Sequence, residues 1–195
     1  MVFNSQLPLL RVRNLCKQYG PSCSACARLT GPEQGSNICP ECGSVVACFG
    51  VSFELLPGEV LGIVGESGSG KSTIIRCLNL DESPTAGEAF FSEVEGGKVN
   101  LFALSSQRKR FIQSSLLGVV YQSPHLGLNL DFSAGANVAE RLLIQNNTPE
   151  YRPIRKRTSL LLNKVQVPVK RMDEPIKVFS GGMQQRIQLA KALAP

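Results

Sequence analysis

The stretch 60–73 constrains the fold of this chain more than any other. The apolar run VLGIV at residues 60–64 leads into the glycine-rich turn GESGSGKST at residues 65–73, and a helical pattern follows. Gly65 and the Gly-Lys-Ser that ends at Ser72 match the pattern G-x-x-x-x-G-K-[ST], in the strand–turn–helix context that this pattern requires. The sequence therefore predicts a phosphate-binding loop between a buried strand and a helix.

Each residue type in this loop suits phosphate chemistry. Glycines let the backbone turn its N–H groups inward, and the helix N-terminus adds partial positive charge. We expect Lys71 to reach the β and γ phosphates of a nucleotide and the Ser72 hydroxyl to bind Mg²⁺. A Gly- and Ser-rich turn that binds nothing is the alternative. The residues predicted to bind nucleotide here are Gly65, Glu66, Ser67, Gly68, Ser69, Gly70, Lys71, Ser72 and Thr73.

Residues 21–48, which we call the cysteine module, differ in composition from both flanks. They are rich in Cys, Gly, Ser and Pro, and they lack apolar periodicity. A segment this polar cannot bury a core of its own, so a bound metal would supply the ordering energy. Two C-x2-C pairs lie twelve residues apart, close to the spacing of a four-thiolate zinc site. The predicted zinc ligands are Cys23, Cys26, Cys39 and Cys42.

The module is therefore interpreted as an inserted, zinc-ribbon-like loop. An Fe–S cluster, free or redox-active thiols, and disulfides are the alternatives, although an intracellular location disfavours disulfides. Cys48 can replace one ligand, whereas Cys16 and Cys77 lie in apolar surroundings and are predicted to be core thiols.

Composition excludes several classes of protein. The 195 residues are 43% hydrophobic and 18% charged, as in ordinary globular domains. No apolar run approaches the roughly 18 residues of a membrane span, and no signal-peptide pattern opens the chain, so a cytoplasmic location is expected. The net charge is +6, but the basic triplets 108–110 and 155–157 lack interleaved aromatic residues. We interpret them as solvated helix faces and expect no nucleic-acid partner.

Periodicity predicts strands in the first part of the chain and helices in the second. The predicted strands are 9–15, 49–55, 60–64, 88–91, 99–102 and 117–121. Helical patterns cover 106–113 and 137–165, the latter interrupted by Pro149 and Pro153. These patterns predict a β-rich core and a helical subdomain at residues 130–180.

Three further features are each weak evidence for a binding site when taken alone. The stretch FSGGMQQR at 179–186 places two glycines before a helix with apolar positions at Met183 and Ile187, which suits an anion but is also a common helix cap. Tyr19 ends the first strand and can stack on a flat base. A tyrosine at the end of a strand often has no binding role. Gln122 ends the predicted strand 117–121.

The order of the phosphate loop, Gln122 and SGGMQQR at 180–186 resembles the ATP-binding cassette (ABC) ATPases over the whole chain except the cysteine module. The resemblance implies an α/β P-loop NTPase fold of the ABC type, with residues 1–195 as the ATP-binding domain. It implies that Tyr19 stacks on adenine, and that Gln122 contacts Mg²⁺ and the attacking water, with Lys71 and Gln122 as catalytic residues. It also implies a head-to-tail homodimer. The residues implied to contact ATP on the opposite subunit are Ser180, Gly181, Gly182 and Gln184.

Within this family, four stretches resemble the ATPase components of bacterial phosphonate C–P lyase systems. They are 58–71, 118–122, 179–186, and the pair formed by SAG at 133–135 and ERL at 140–142. ATPases of oligopeptide and nickel importers share the first and third. The implied partner is the C–P lyase core complex, or membrane permease subunits that would place the protein peripherally at the inner membrane. A zinc-dependent interaction protein with a vestigial nucleotide site is a hypothesis of another class. We expect the cysteine module to affect partner binding and not nucleotide binding.

The chain also departs from the family pattern. In this family the stretch that corresponds to SGGMQQR at 180–186 is called the signature. The Walker B strand with its catalytic Glu, and the switch His, follow the signature helix, and the sequence given ends at Pro195. The resemblance thus implies an incomplete domain that binds nucleotide weakly without efficient hydrolysis and keeps an open apolar sheet edge. Asp173-Glu174-Pro175 precedes the signature and is interpreted as a turn. His125, the only histidine, is interpreted as a surface loop residue.

Overall fold

The computed structural model describes residues 7–145 and 150–194, with the side chain of Gln145 left aside. The chain divides into two compact units, an N-terminal unit of Met1–Lys109 and a C-terminal unit of Arg110–Pro195.

The N-terminal unit is built on an antiparallel sheet with the strand order β2-β1-β3. The strands are β1 (Leu10–Tyr19), β2 (Val45–Leu55) and β3 (Ala86–Phe91), and the helices are α1 (Cys26–Leu29) and α2 (Lys71–Leu78). Helix α3 (Ser106–Ser115) begins in this unit and ends in the C-terminal unit. Val12 and Leu15 of β1 are buried together with Ala89 of β3, and the register of β1 shifts between Val12 and Leu15. On α2 the buried residues are Ile74 and Cys77, one turn apart.

The cysteine module connects two paired strands. β1 and β2 form an antiparallel hairpin in which Tyr19 pairs with Val45, Gln18 with Val46, and Lys17 with Cys48. The predicted module therefore overlaps β2 at residues 45–48. The rest of the module closes this end of the hairpin and contains α1 and a short 3₁₀ segment, Pro32–Gln34.

Three predicted strands are absent from the sheet, and these predictions were wrong. Among residues 7–145 and 150–194 the sheet contains only β1, β2 and β3. Residues 60–64 and 117–121 lie outside any strand or helix, and Val60 and Val64 are 92% and 95% exposed. Leu101–Ala103 forms a 3₁₀ segment, with the Asn100 side chain accepting a hydrogen bond from the Phe102 N–H. An apolar run becomes a strand only where another strand supplies its hydrogen bonds.

The C-terminal unit is helical. Its helices are α4 (Ala134–Gln145), α5 (Tyr151–Lys164) and α6 (Gly181–Ala192), with short 3₁₀ segments at Pro124–Leu126, Val169–Arg171 and Ile176–Val178. They enclose a hydrophobic core whose best-buried members include Val138, Leu162, Ile176 and Ile187. Pro153 lies in the first turn of α5, where a missing N–H costs little. Pro149 lies outside the described residues.

A half-buried arginine of the C-terminal unit binds the backbone at the end of α3. The Nη2 group of Arg141 in α4 donates to the carbonyls of Gln113, Ser114 and Leu117. Carbonyls at the end of a helix have no partner within the helix, so this guanidinium acts as their cap. In the part of the chain that the structure describes, no helix combines the length and apolar character needed to cross a bilayer.

Candidate functional site

The glycine-rich loop folds around the side chain of Lys71. Gly68 and Gly70 have φ of +83° and +87°, in the left-handed region that glycine adopts without strain. The Lys71 Nζ donates to the Gly65 carbonyl at 2.8 Å, to the Glu66 carbonyl, and to the Ser69 hydroxyl at 3.3 Å. The ammonium is thus held inside the loop, on the first residue of α2, where the helix N-terminus also favours an anion.

The loop exposes the groups that phosphate and Mg²⁺ would contact. Residues 65–69 and Ser72 are exposed, while Lys71 and Thr73 are half-buried. A Cβ at Gly65 would lie 2.7 Å from the Ser69 hydroxyl, so the loop is tight at its start. This arrangement can present backbone N–H groups, one ammonium and one hydroxyl to an anion.

The end of the loop rests on strand β2. A Cβ added at Gly70 would lie 1.9 Å from the Ala47 carbonyl oxygen and 2.9 Å from its carbon. The glycine is therefore required for close approach as well as for its backbone angles. Ala47 was not identified from sequence, because no local pattern reveals which backbone lies under a loop.

Tyr19 lies at the end of β1 with its ring 37% exposed. Its hydroxyl donates to Glu82 Oε2 at 2.8 Å, and the Lys17 ammonium lies 4.8 Å from the ring centroid. Burial and the bond to Glu82 raise the pKa of Tyr19, while a hydrogen bond with Thr73 in the first turn of α2 opposes the rise. The bond from Tyr19 in turn lowers the pKa of Glu82. These bonds fix the ring beside the N-terminal turn of α2.

The four predicted zinc ligands converge at one point. The Sγ atoms of Cys23, Cys26, Cys39 and Cys42 all lie within 4.8 Å of one another. Individual Sγ–Sγ distances are 3.5 Å for Cys23–Cys26, 3.7 Å for Cys23–Cys39 and 3.3 Å for Cys26–Cys42. Tetrahedral zinc with Zn–S bonds of about 2.3 Å separates its sulfurs by roughly 3.8 Å. The cluster therefore fits such an ion, and all seven cysteines are free thiols.

The surroundings of the cluster favour the thiolate form at Cys42 and the thiol form at Cys23. Hydrogen bonds with the Ser44 hydroxyl and backbone lower the pKa of Cys42 to about 6. A bond from the Ala25 backbone lowers the pKa of Cys23, but the bond with Cys26 and burial outweigh it and raise this pKa to about 12. Thiolates are the form that binds metal. Ser44, which is fully buried, was not identified from sequence.

The remaining cysteines lie outside the cluster. Cys48 is buried in β2, and burial raises its pKa. Cys77 is a core thiol, as predicted, and burial raises its pKa to about 11. Cys16 is only half-buried, and its Sγ accepts a hydrogen bond from the Gly50 N–H at 3.1 Å. It is therefore less enclosed than predicted.

The C-terminal unit contains the other predicted nucleotide contacts. Ser180 precedes α6, and Ser180, Gly181 and Gly182 are all exposed, with open space where a glycine Cβ would point. Gln122 is exposed, and its carbonyl accepts a hydrogen bond from Gln185 Nε2 at 3.4 Å. This bond places the Gln122 loop beside the first turn of α6.

Gln184 faces inward. It is buried, and its Nε2 group donates to the carbonyls of Ile176 at 3.2 Å and Phe179 at 3.0 Å. In this arrangement its amide secures the segment before Ser180 and does not reach the surface. The direct contact with nucleotide predicted for Gln184 stays a prediction, and in this structure its amide binds the segment before Ser180.

Other polar residues singled out from sequence have structural contacts. Asp173 lies outside any strand and pairs with Arg155 through two bonds of 2.8 and 2.6 Å. The hydrogen bond from Arg155 lowers the pKa of Asp173. Lys109 donates to the Phe102 carbonyl at 2.7 Å, so part of the basic triplet 108–110 is engaged by the protein. His125 lies exposed in the Pro124–Leu126 segment.

Comparison with known proteins assigns the family. The ABC transporter family matches residues 48–195, which is most of the chain. The chain belongs to the ABC transporter family. The match begins at the last residue of the cysteine module, so β1 and residues 21–47 lie outside it.

Curated ABC relatives come from several systems. The phosphonates utilization ATP-binding protein PhnK of Escherichia coli is 42% identical over 143 residues, covering 73% of this chain and 54% of that protein. The dipeptide transport ATP-binding protein DppF of the same organism is 33% identical over 188 residues, or 96% of this chain and 50% of that protein. The methionine import ATP-binding protein MetN 1 of Bacillus licheniformis is 39% identical over 150 residues, covering 77% of this chain and 42% of that protein. This ABC chain spans about half the length of the curated relatives it matches.

Solved structures confirm the ABC cassette fold. The ATP-binding cassette MJ0796, in a dimeric post-hydrolysis state bound to ADP and Pi, has a TM-score of 0.75 at 24% identity, covering 95% of this chain and 69% of that one. A second dimeric structure of MJ0796, described as a bacterial ABC transporter cassette, has a TM-score of 0.73 at 25% identity with the same coverage. The predicted fold class is thus correct, although the predicted strands 60–64 and 117–121 are not paired.

Proposed function

We propose that this ABC chain is an ATP-binding subunit of an ATPase whose ATP binding and hydrolysis drive a partner complex. The observation that carries the proposal is the loop at residues 65–72, which wraps the Lys71 ammonium at the start of α2 and leaves Ser72 exposed. Membership of the family supports the same conclusion.

The residues have distinct roles in this proposal. The Lys71 ammonium exchanges its bonds to the Gly65 and Glu66 carbonyls for the β and γ phosphates, while Ser72 supplies an oxygen to Mg²⁺. Tyr19 offers its exposed ring to adenine. Gln122 orients Mg²⁺ and the attacking water. Positioning and charge stabilisation supply nearly all of the catalysis in phosphoryl transfer, so the roles of Lys71 and Gln122 are electrostatic.

A second copy of the chain completes the site in this proposal. Ser180, Gly181 and Gly182 are exposed at the start of α6, where backbone N–H groups favour an anion. In a head-to-tail homodimer they would contact the nucleotide held by the partner's phosphate loop. The dimeric state of the two MJ0796 structures supports this arrangement.

For the coupled system we propose phosphonate C–P lyase. The support is the 42% identity to PhnK, a protein described by its role in phosphonates utilization. A dipeptide importer is the second candidate, because DppF aligns over 96% of this chain. For the cysteine module we propose one bound Zn²⁺, supported by the Sγ distances of the four-thiol cluster.

The test combines nucleotide binding with partner capture. The chain should bind a fluorescent ATP analogue in the presence of Mg²⁺, and excess ATP should displace it; absence of binding would favour a zinc-dependent interaction protein with a vestigial site. Tagged chain should then be mixed with C–P lyase core subunits or with peptide permease subunits, each with and without ATP. Retention of the lyase subunits alone supports the first assignment, and retention of the permease alone supports the second.

A further inference from the structure

We propose that metal binding by the cysteine module sets the nucleotide affinity of the phosphate loop. The inference rests on the proposed function, because it concerns regulation of the same nucleotide site. It replaces the expectation from sequence that the module leaves nucleotide binding unaffected.

The first step is that the four-thiol cluster is joined to the end of the β1–β2 hairpin. On β1, the Gln18 Nε2 group donates to the Cys26 Sγ at 3.0 Å. On β2, the Val46 N–H donates to the carbonyl of Asn37, two residues before Cys39, at 2.8 Å. Gln18 and Val46 are themselves paired across the hairpin. The cluster thus contacts β1 directly, and the module segment just before Cys39 contacts β2 at the residue paired with Gln18.

The second step is that each strand presents a nucleotide-site contact at the adjacent residue. Tyr19 follows Gln18, and its hydroxyl bonds to Glu82 and to Thr73 in the first turn of α2. Ala47 follows Val46, and its carbonyl oxygen would lie 1.9 Å from a Cβ at Gly70. One end of the hairpin therefore positions both the Tyr19 ring, which is proposed to stack on adenine, and the Gly70 end of the loop that is proposed to bind phosphate.

The third step is that the module has little besides the cluster to order it. Its regular structure is the short helix α1, the 3₁₀ segment Pro32–Gln34 and two isolated β-bridges, Gly31–Ser36 and Ile38–Val45, and neither helical segment begins with a side-chain cap. Between residues 21 and 44 its buried side chains are Ala25, Ser44 and the cluster cysteines Cys26 and Cys39. Four thiols without metal contribute few contacts, whereas bound zinc contributes folding free energy directly. Metal loss should therefore free the hairpin end while leaving the pairing of β1 with β3.

The coordination of the cluster gives the bound metal a structural role and not a catalytic one. Four thiolates fill the tetrahedral coordination of zinc and leave no open position for a phosphate or water. The metal would act on the nucleotide only through residues 18–19 and 46–47. Such coupling between two sites is typically a factor of about 5 to 150 in affinity, and it is reciprocal.

The test measures binding of a fluorescent ATP analogue, in excess Mg²⁺, by the chain with and without zinc. A zinc-selective chelator should weaken binding by about five-fold or more, and added Zn²⁺ should restore it. Saturating nucleotide should tighten zinc binding by the same factor. Cys26→Ser should reproduce the chelated state, whereas Cys16→Ser, on β1 outside the cluster, should bind like the unaltered chain.

Amide hydrogen exchange separates local loosening from unfolding. In the chelated chain, exchange should accelerate at 18–19, 45–47 and 65–71 and stay unchanged in β3. Acceleration of β3 to the same extent would overturn the proposed local coupling. Equal nucleotide affinity with and without zinc would also overturn it and leave the ATP-binding proposal standing. Failure of the zinc-loaded chain to bind nucleotide at all would refute the ATP-binding proposal itself.

Discussion

Replacing Gly70 with alanine tests the contact between the phosphate loop and β2. The matched control is Gly68→Ala in the same loop. Both glycines have left-handed backbone angles, with φ of +87° and +83°. They differ in their surroundings, because a Cβ at Gly68 meets nothing within 4 Å, whereas a Cβ at Gly70 meets the Ala47 carbonyl.

The expected costs follow from these geometries. A left-handed alanine costs about 1–2 kcal/mol, and this is the whole penalty expected at Gly68. At Gly70 the Cβ–oxygen distance of 1.9 Å must also grow to about 3.3 Å, so the start of α2 and β2 must separate by about 1.4 Å. Overpacking of this kind typically adds about 1–3 kcal/mol. We therefore expect a loss of about 2–5 kcal/mol in Gly70→Ala.

Native-state amide hydrogen exchange at residues 74–78 of α2 measures this loss as a free energy of opening. The free energy of opening of α2 should be about 1–3 kcal/mol lower in Gly70→Ala than in Gly68→Ala. If Gly68→Ala destabilises α2 as much as Gly70→Ala does, the loop does not rest on Ala47, and the coupling proposed for the cysteine module loses its route through β2.

Three other predictions are open to direct measurement. Lys71→Ala removes a charge-assisted contact of about 1.5–3 kcal/mol, so ATP affinity in a titration should fall by ten-fold or more, whereas Lys98→Ala should leave it unchanged. Metal analysis of chain purified under reducing conditions should find about one zinc per chain, and much less in Cys26→Ser but not in Cys16→Ser. Arg141→Met leaves the end of α3 without its cap, and urea unfolding should show a loss of about 2–4 kcal/mol.

Each of these predictions has a contradicting result. Unchanged ATP affinity in the Lys71 variant would mean that the loop is not the nucleotide site. Iron with charge-transfer absorption in place of zinc would support the Fe–S alternative. Unchanged stability of the Arg141 variant would mean that water satisfies the carbonyls of Gln113, Ser114 and Leu117 as well as the guanidinium does.

Sequence alone was sufficient where the chemistry is local. The glycines and Lys71 of the loop 65–73 are specified by backbone angles and charge over nine consecutive residues, and the structure has the turn and helix that they predict. The spacing of the cysteines likewise predicted that four sulfurs converge, because each C-x2-C pair sets two ligands on one short turn. The helices of the C-terminal unit followed from apolar periodicity, although α4 begins earlier than predicted, at Ala134.

Only the tertiary structure decided which segments pair and which residues support the site. Residues 60–64 and 117–121 have the composition of strands but lack ladder hydrogen bonds, because a strand depends on a neighbour that its own sequence does not specify. The carbonyl of Ala47 beneath Gly70, the Gln18 bond to Cys26 and the inward amide of Gln184 carry no local signature. Each arises from chain segments that are distant in sequence and adjacent only after folding, so a residue pattern read along the chain does not contain it.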